Sequence, residues 1–289
     1  MRRLTVRNPF NAPVYHEDTV DSTMEVSRVL AQQGEPHGTV ISADFQEAGR
    51  GRVRGRSWNM ERGTNLAFTV LLRFPGISDI PCALTLRTGL AVSLAIEDFD
   101  PALVGRVFIK WPNDILLAPD AKKAEAAKKA AGILTEADGG NVHIGIGVNV
   151  AQRQFPDFLR DKVTSIGLAL GRAVANGECY TLLEQILARL HAEIEAPDGG
   201  KAGDWRGRIE ARLYQKGGQV CFAEGPADSG KTVTGVLSGI GPAGELLIIP
   251  SGAPQAVSFT TGELRLPGDR RCFNVAYRCG ICRFNDRYR

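Results

Sequence analysis

Residues 46–58, QEAGRGRVRGRSW, set three glycines among four arginines. Glycine lets the backbone approach a ligand closely and several guanidiniums can reach one anion, so anion handling is the first expectation. On composition alone, a solvated arginine loop or an arginine-glycine segment for RNA reads equally well. The flanks constrain the choice. A strand-like run, residues 38–45 (GTVISADF), leads in, and an alternating run, residues 65–74 (NLAFTVLLRF), leads out. The loop is therefore expected to join two core strands, and a connection that long between strands is usually functional.

The 289-residue chain is 43% hydrophobic and 23% charged, which is globular composition. Its net charge of +3 sits at one end: residues 267–289 hold six arginines against two aspartates, +4, leaving −1 for residues 1–266. A body near neutrality argues against a broad nucleic-acid face, and no specific DNA binding is expected. Cys82, Cys179 and Cys221 are scattered, which speaks against a disulfide framework. The N-terminal residues lack an apolar signal region, and no run approaches ~18 uninterrupted apolar residues. A cytoplasmic protein without membrane association is expected.

Along the chain, a strand near residues 14–17 precedes a helix capped by Asp21 or Ser22, with Val26, Val29 and Leu30 at core spacing and Gly34 to stop it. Ser22 and Thr23 then stand at a strand-to-helix turn, as caps or facing a ligand. A second helix over residues 83–99 buries Leu84, Leu90, Ala91, Leu94 and Ala95. In VFIKWPNDILLA, residues 107–118, a strand delivers Lys110 and Trp111 into the turn Pro112-Asn113-Asp114. Residues 121–130 are an alanine-lysine segment of high helix propensity. GILTEAD and NVHIGIGVNV read as a hairpin across Gly139-Gly140, with Gly145 and Gly147 leaving room for a flat ligand on one face. A helix follows over residues 181–195, and short strands from residue 217 onward predict a small β-barrel. Within it, GPADSGKT, residues 225–232, matches the P-loop letters. The strand-like VTGVLSGI after it lacks the helix that phosphate binding requires, so the match reads as a hairpin connection.

Taken in order, GRGR with a nearby tryptophan, KWPND, K-x-A-G-I-L and GIGVNV resemble the biotin protein ligases over residues 14–266. The resemblance implies an α+β fold, with a mixed-sheet catalytic domain of the class II synthetase-like type and a small C-terminal β-barrel. The expected domains are residues 1–212, residues 213–266 and a basic tail, residues 267–289. In that tail Cys272, Cys279 and Cys282 would lack a fourth zinc ligand, and an unstructured extension is the other reading. The implied activity is ATP-dependent formation of biotinyl-5′-AMP, with Mg2+, and transfer of biotin to a lysine of the carrier domain of acetyl-CoA carboxylase or a related carboxylase. No helix-turn-helix precedes the motifs, which by the family's logic is the form without repressor function, and a homodimer is compatible with it.

Residue by residue, the resemblance implies that Ser22, Thr23, Gln46, Gly49 and Arg50 line the biotin pocket and that Gly132, Ile133 and Leu134 close it. Arg52 would clasp the phosphate of the intermediate, and Trp58 would pack near the adenine. Arg56, Asn113 and Asn149 would meet the nucleotide. Lys129, fixed by the A-G-I-L that follows it, is the principal lysine, with Lys128 in solvent. Asp114 would help deprotonate the acceptor lysine or hold Mg2+. Here the loop is one residue longer than the common spacing, and Met24 stands where Asn is frequent.

Joining a carboxylate to the α-phosphate of ATP brings two anions together, so the site needs fixed positive charge and a metal. Lys129, Arg50 and Arg52 would supply the charge, under a glycine-hinged loop that closes before chemistry. Two rivals remain. A lipoate or octanoate ligase of the same fold would resemble this sequence in neither GRGR nor KWPND. An RNA-binding protein using the arginine loop would leave the GIL and GIGVNV strands without a role and wants more stacking aromatics near the loop.

Overall fold

Eight strands form the main sheet of the computed structural model, which describes residues 1–53, 55, 57–58, 60–195, 204–225 and 231–265. In chain order they are β1 (Arg2–Arg3), β2 (Val14–Glu17), β3 (Thr39–Ala43), β4 (Asn65–Arg73), β5 (Val107–Lys110), β6 (Asp114–Leu117), β7 (Lys128–Asp138) and β8 (Asn141–Asn149). The helices of this unit are α1 (Thr23–Gln32), α2 (Leu84–Phe99), α3 (Ile166–Leu170), α4 (Asn176–Glu195) and α5 (Trp205–Glu210). The sheet order is β1-β2-β3-β4-β8-β7-β6-β5. β2 and β3 run parallel while the other neighbours are antiparallel, so the sheet is mixed, as expected of an α+β fold.

The spine is the pairing of β4 with β8, in register from Asn65↔Asn149 to Arg73↔Asn141. Alternating β-branched and aromatic residues bury both faces of β4, which is 1% exposed or less at Phe68, Val70, Leu71 and Leu72. The hairpin between β7 and β8 turns at Gly139-Gly140 as expected. A Cβ on Gly140 would lie 2.2 Å from the Phe74 carbonyl oxygen, a contact no side chain tolerates.

α2 rests on Ile109, Ile115 and Ile133. By length and apolarity the Ile77–Phe99 segment could cross a membrane. Here it is a core helix with Leu90, Ala91, Val92 and Ala95 fully buried, and Thr88 and Ser93 return their hydroxyls to carbonyls four residues back.

Three expectations shift. In α1 the side chain of Ser22 caps the helix by accepting the Met24 N–H at 3.3 Å, but the buried face is Thr23, Met24, Ser27 and Leu30, while Val29 is 49% exposed. A hidden Ser27–His143 hydrogen bond of 2.8 Å takes the place of an all-apolar stripe. Residues 121–130 form no α-helix: a single 3-10 turn, Ala124–Ala126, leads into β7 at Lys128. So short a helix is marginal on propensity alone, and at Lys128 and Lys129 pairing with Leu117 and Leu116 of β6 supplies more. α4 starts at Asn176, five residues earlier than expected at Thr181. Glu178 makes the earlier start by accepting the Ala175 N–H at 2.8 Å, as a capping-box glutamate does.

The chain divides into two compact units, the first Met1–Tyr214 with Pro242–Gly244, the second Gln215–Gly241 with Glu245–Arg289. Within the second, β9 (Gln219–Glu224), β10 (Thr232–Ile240), β11 (Leu246–Pro250), β12 (Val257–Phe259) and β13 (Gly262–Leu264) form one antiparallel sheet of order β12-β11-β10-β9-β13. Phe222 and Phe259 pack at its centre, ring centroids 4.8 Å apart. The expectations for the 267–289 tail, including Cys272, Cys279 and Cys282, lie outside the described residues.

Strand β10, rather than a helix, follows the P-loop-like letters. Lys231 lies on the surface, 70% exposed, 2.5 Å from Glu224. An exposed pair of this kind contributes ~0–1 kcal/mol. Lys231→Ala should leave nucleotide affinity unchanged in equilibrium binding, and a folded variant that no longer binds ATP would mean the match is functional.

Candidate active site

Four parts of the first unit converge on the middle of the β4–β8 spine: the start of α1, the glycine-arginine loop, Asn113 and the middle of the β7–β8 hairpin. They line a cleft of about 70 Å³. A site for a drug-sized ligand usually has ~300–1,000 Å³, and the protein's own side chains account for the difference. The space left by Gly147 is taken by Trp58, whose Cε2 lies 2.6 Å from where a Cβ would stand. That left by Gly145 is taken by Met24, its Sδ at 2.8 Å. The glycines do leave room for flat groups, and two side chains of this chain use it.

One wall is polar. The Thr69 hydroxyl donates to Thr23 Oγ1 at 2.9 Å, and Thr23 donates to Gln46 Oε1 from both its hydroxyl, at 3.1 Å, and its N–H, at 2.9 Å. With Oε1 taking two donors, the Gln46 amide is held in one orientation and its Nε2 hydrogens remain to be offered. Thr69 is fully buried and Thr23 nearly so, so the chain is preorganised by packing.

The opposite wall carries charge. Lys129 Nζ lies 2.6 Å from Asp114 Oδ1 and Lys110 Nζ 3.7 Å from Oδ2. Burial pushes the Asp114 carboxyl up, but the charges of Lys129 and Lys110, the Lys129 hydrogen bond and the more distant Arg52 together hold it below its ordinary value. Asp114 is therefore ionised at neutral pH and a poor proton acceptor, which favours its electrostatic role over deprotonating an amine. The ring centroid of Trp58 is 5.8 Å from Lys129 Nζ, within cation–π range.

A β-bulge aims Lys129 into the cleft. Ile115 pairs with Ala131 and Leu116 with Lys129, so Ala130 is an extra residue on β7. The bulge breaks the alternation and brings Lys129 to the same face as Gly132, where a Cβ would meet Lys129 Nζ at 3.1 Å. Lys128 turns away and donates to the Arg160 carbonyl at 3.1 Å.

This arrangement can be compared with known proteins. A family model described as "Biotin/lipoate A/B protein ligase family" matches residues 17–151. The "Biotin--[acetyl-CoA-carboxylase] ligase" of Paracoccus denitrificans is 33% identical over 217 residues, 72% of this chain and 82% of that protein. The chain belongs to the biotin/lipoate protein ligase family. The "Bifunctional ligase/repressor BirA" of Bacillus subtilis (strain 168) is 37% identical over 169 residues, 56% of this chain; the match spans about half, 48%, of that relative. Among solved structures, the biotin protein ligase from Aquifex aeolicus in complex with biotin and ATP superimposes with a TM-score of 0.69 at 27% identity, over 87% of this chain and 97% of that one.

In this ligase-family chain, Ser22, Thr23, Gln46, Arg50, Arg52, Trp58, Asn113, Lys129, Gly132, Ile133 and Leu134 all line the one cleft. Arg50 does so while its guanidinium pairs with Glu25 on α1, a carboxylate that Arg28 shares. Gly49 lies just behind the wall, against the side chains of Gln46 and Trp58. Asn149 is not a lining residue: it is 4% exposed and donates to the Thr164 carbonyl at 2.9 Å, with its Oδ1 buried and unpartnered. Arg56 lies outside the described residues. Sequence reasoning missed Met24 and Phe68 as lining groups, Thr69 as the end of the polar chain, and Glu25 and Lys110 as charge partners. Lys110 precedes Asp114 by four residues, but between a strand and a turn that spacing carries no signal.

Proposed function

We propose that the chain is an ATP-dependent biotin protein ligase acting in the cytoplasm on the carrier domain of acetyl-CoA carboxylase or a related carboxylase. The observation that carries this is one cleft with a preorganised polar wall, Thr69–Thr23–Gln46, facing a cationic wall, Lys129 with Arg52, across strand glycines. A fused ureido ring has N–H donors and a carbonyl acceptor that match the Thr23–Gln46 wall. Its valerate carboxylate would then reach toward Lys129.

In the first half-reaction a carboxylate oxygen attacks the α-phosphorus, the bond to the β-phosphate oxygen breaks, and pyrophosphate leaves. Lys129 holds the two anions together and takes up charge that develops between them. In the second, the acceptor lysine's neutral amine attacks the acyl carbon, the acyl C–O bond to the phosphate breaks, AMP leaves, and the amine's extra proton passes to water. Asp114 keeps Lys129 in place through both steps. An ionised carboxylate beside a phosphate site is the donor type Mg2+ takes, so Asp114 fits a metal-holding role, and the ion would neutralise phosphate charge when bound. Trp58 must leave the Gly147 face, or stack on the ligand there, for a full-sized substrate to enter.

The nearest alternative is a lipoate or octanoate ligase, and pyrophosphate exchange with the three acids side by side decides between them. A dithiolane ring leaves the Thr23–Gln46 groups unpaired, and polar sites reject such analogues strongly, so exchange with lipoate should be lower by ~10²-fold or more. Exchange with lipoate but not biotin would reassign the substrate. Exchange with none of the acids would refute adenylation.

A further inference from the structure

We infer that His16, Asp18 and Asp44 form a divalent-cation site, separate from the cleft and independent of the activity proposed above. The three residues come together because β2 and β3 run parallel and in step, with His16 opposite Ser42. Asp18 lies just past the end of β2 and Asp44 just past the end of β3, where the Asp44 N–H bonds the Glu17 carbonyl at 3.2 Å. One ligand atom from each of the three lies within 4.8 Å of the others.

The hydrogen bonds of His16 determine what this cluster can bind. Its side chain is 4% exposed, so its polar atoms have no access to bulk water. Nδ1 lies 3.0 Å from Ser42 Oγ, and the Ser42 hydroxyl donates to the Tyr15 carbonyl at 3.2 Å. With its proton committed there, Ser42 can only accept, so Nδ1 carries the imidazole N–H and Nε2 bears the lone pair. That Nε2 is buried without a hydrogen bond. It points at Asp44 Oδ1, 3.5 Å away, and Asp18 Oδ1, 3.9 Å away.

Three acceptors thus converge with no donor among them. Neither carboxylate has a lysine or arginine partner among the described residues, and Arg62 holds the Asp18 carbonyl and the Thr19 hydroxyl instead. With Nε2 unprotonated, a bound cation is what reconciles the three. Ligands at ~2.0–2.2 Å from one tetrahedral Zn2+ lie roughly 3.3–3.6 Å apart, close to the separation already present between Nε2 and Asp44. Asp18, 82% exposed, can close the remaining distance. One imidazole and two carboxylates suit Zn2+ over Mg2+, which avoids nitrogen ligands. The Nδ1–H bond to Ser42 is the outer contact that metal-bound histidines carry. A cation here would pin together the two chain segments that continue into Thr23 and Gln46.

The test is Zn2+ titration of the untagged full chain carrying Cys272→Ser/Cys279→Ser/Cys282→Ser, which removes the tail thiols as competing ligands, by calorimetry, without nucleotide, with thermal unfolding in parallel. One Zn2+ should bind, raising the melting temperature. The double variant Asp18→Asn/Asp44→Asn should bind at least ~10-fold more weakly and lose the thermal shift, while Asp114→Asn retains both. Because Asp18 and Asp44 are surface residues, the double variant keeps the core, and Ser42→Ala, expected to weaken binding ~10-fold, tests the histidine independently. Failure to bind Zn2+ at ~1 mM, or equal affinity in the double variant, overturns the site. So does nitrogen NMR showing His16 doubly protonated at neutral pH and unchanged by Zn2+, which would make the cluster an imidazolium–carboxylate pair.

Discussion

Lys129→Ala should cut biotinyl-adenylate formation by ~10²–10³-fold, while Lys128→Ala stays within a factor of about two of the parent rate. The two lysines are adjacent and chemically identical, so the contrast isolates position. Lys129 Nζ is 2.6 Å from Asp114 and lies over Gly132 in the cleft wall; Lys128 Nζ rests on a surface carbonyl. A fixed charge in a dry, preorganised site stabilises developing negative charge by several kcal/mol, and a solvated one contributes almost nothing there. Single-turnover adenylate formation, measured with folding checked by circular dichroism, reads the effect directly. Exchanged behaviours of the two variants would place the β7 bulge one residue away, and two unimpaired variants would remove adenylation from this cleft.

A stability loss of ~3–5 kcal/mol is expected for Asp114→Ala, because the substitution strands Lys110, whose side chain is 7% exposed, without its counter-ion. Lys129 loses its partner in the same step. Asp114→Asn should cost less, since the amide keeps a hydrogen-bond acceptor near both ammoniums. The pH dependence separates charge from packing. Cationic neighbours, outweighing burial, put the folded-state pKa of Asp114 below its unfolded value, so its stabilising contribution is present above ~3.9 and disappears as pH falls through the folded value. The gap between parent and Asp114→Ala in melting temperature should therefore be full at pH 6–7 and narrow in acid below about pH 4. A gap that is flat with pH would show that the loss is one of packing.

Much of the architecture is legible in local pattern. Alternation marks β4 and β8, the Gly139-Gly140 pair marks their hairpin neighbour, and Ser22 with Gly34 brackets α1. These signals survive because period and turn chemistry are properties of neighbouring residues. The motifs GRGR, KWPND and AGIL, through the family resemblance they carry, name most of the cleft wall. Where local propensity disagreed with sheet pairing, as at Lys128 and Lys129, pairing prevailed.

What the amino-acid sequence determined by itself is thus most of the strands and long helices and, through the family resemblance, the mixed α+β class and most of the groups that surround the cleft. Tertiary structure decided which way those groups point and what they touch. The Ala130 bulge, fixed by pairing to β6, turns Lys129 inward and Lys128 outward. Trp58 and Met24 fill the glycine spaces, Asp114 anchors Lys129, and Ser42 orients the His16 ring toward two carboxylates. Each of these depends on contacts between residues far apart in the chain, where distance and register, not residue type or spacing, set the interaction.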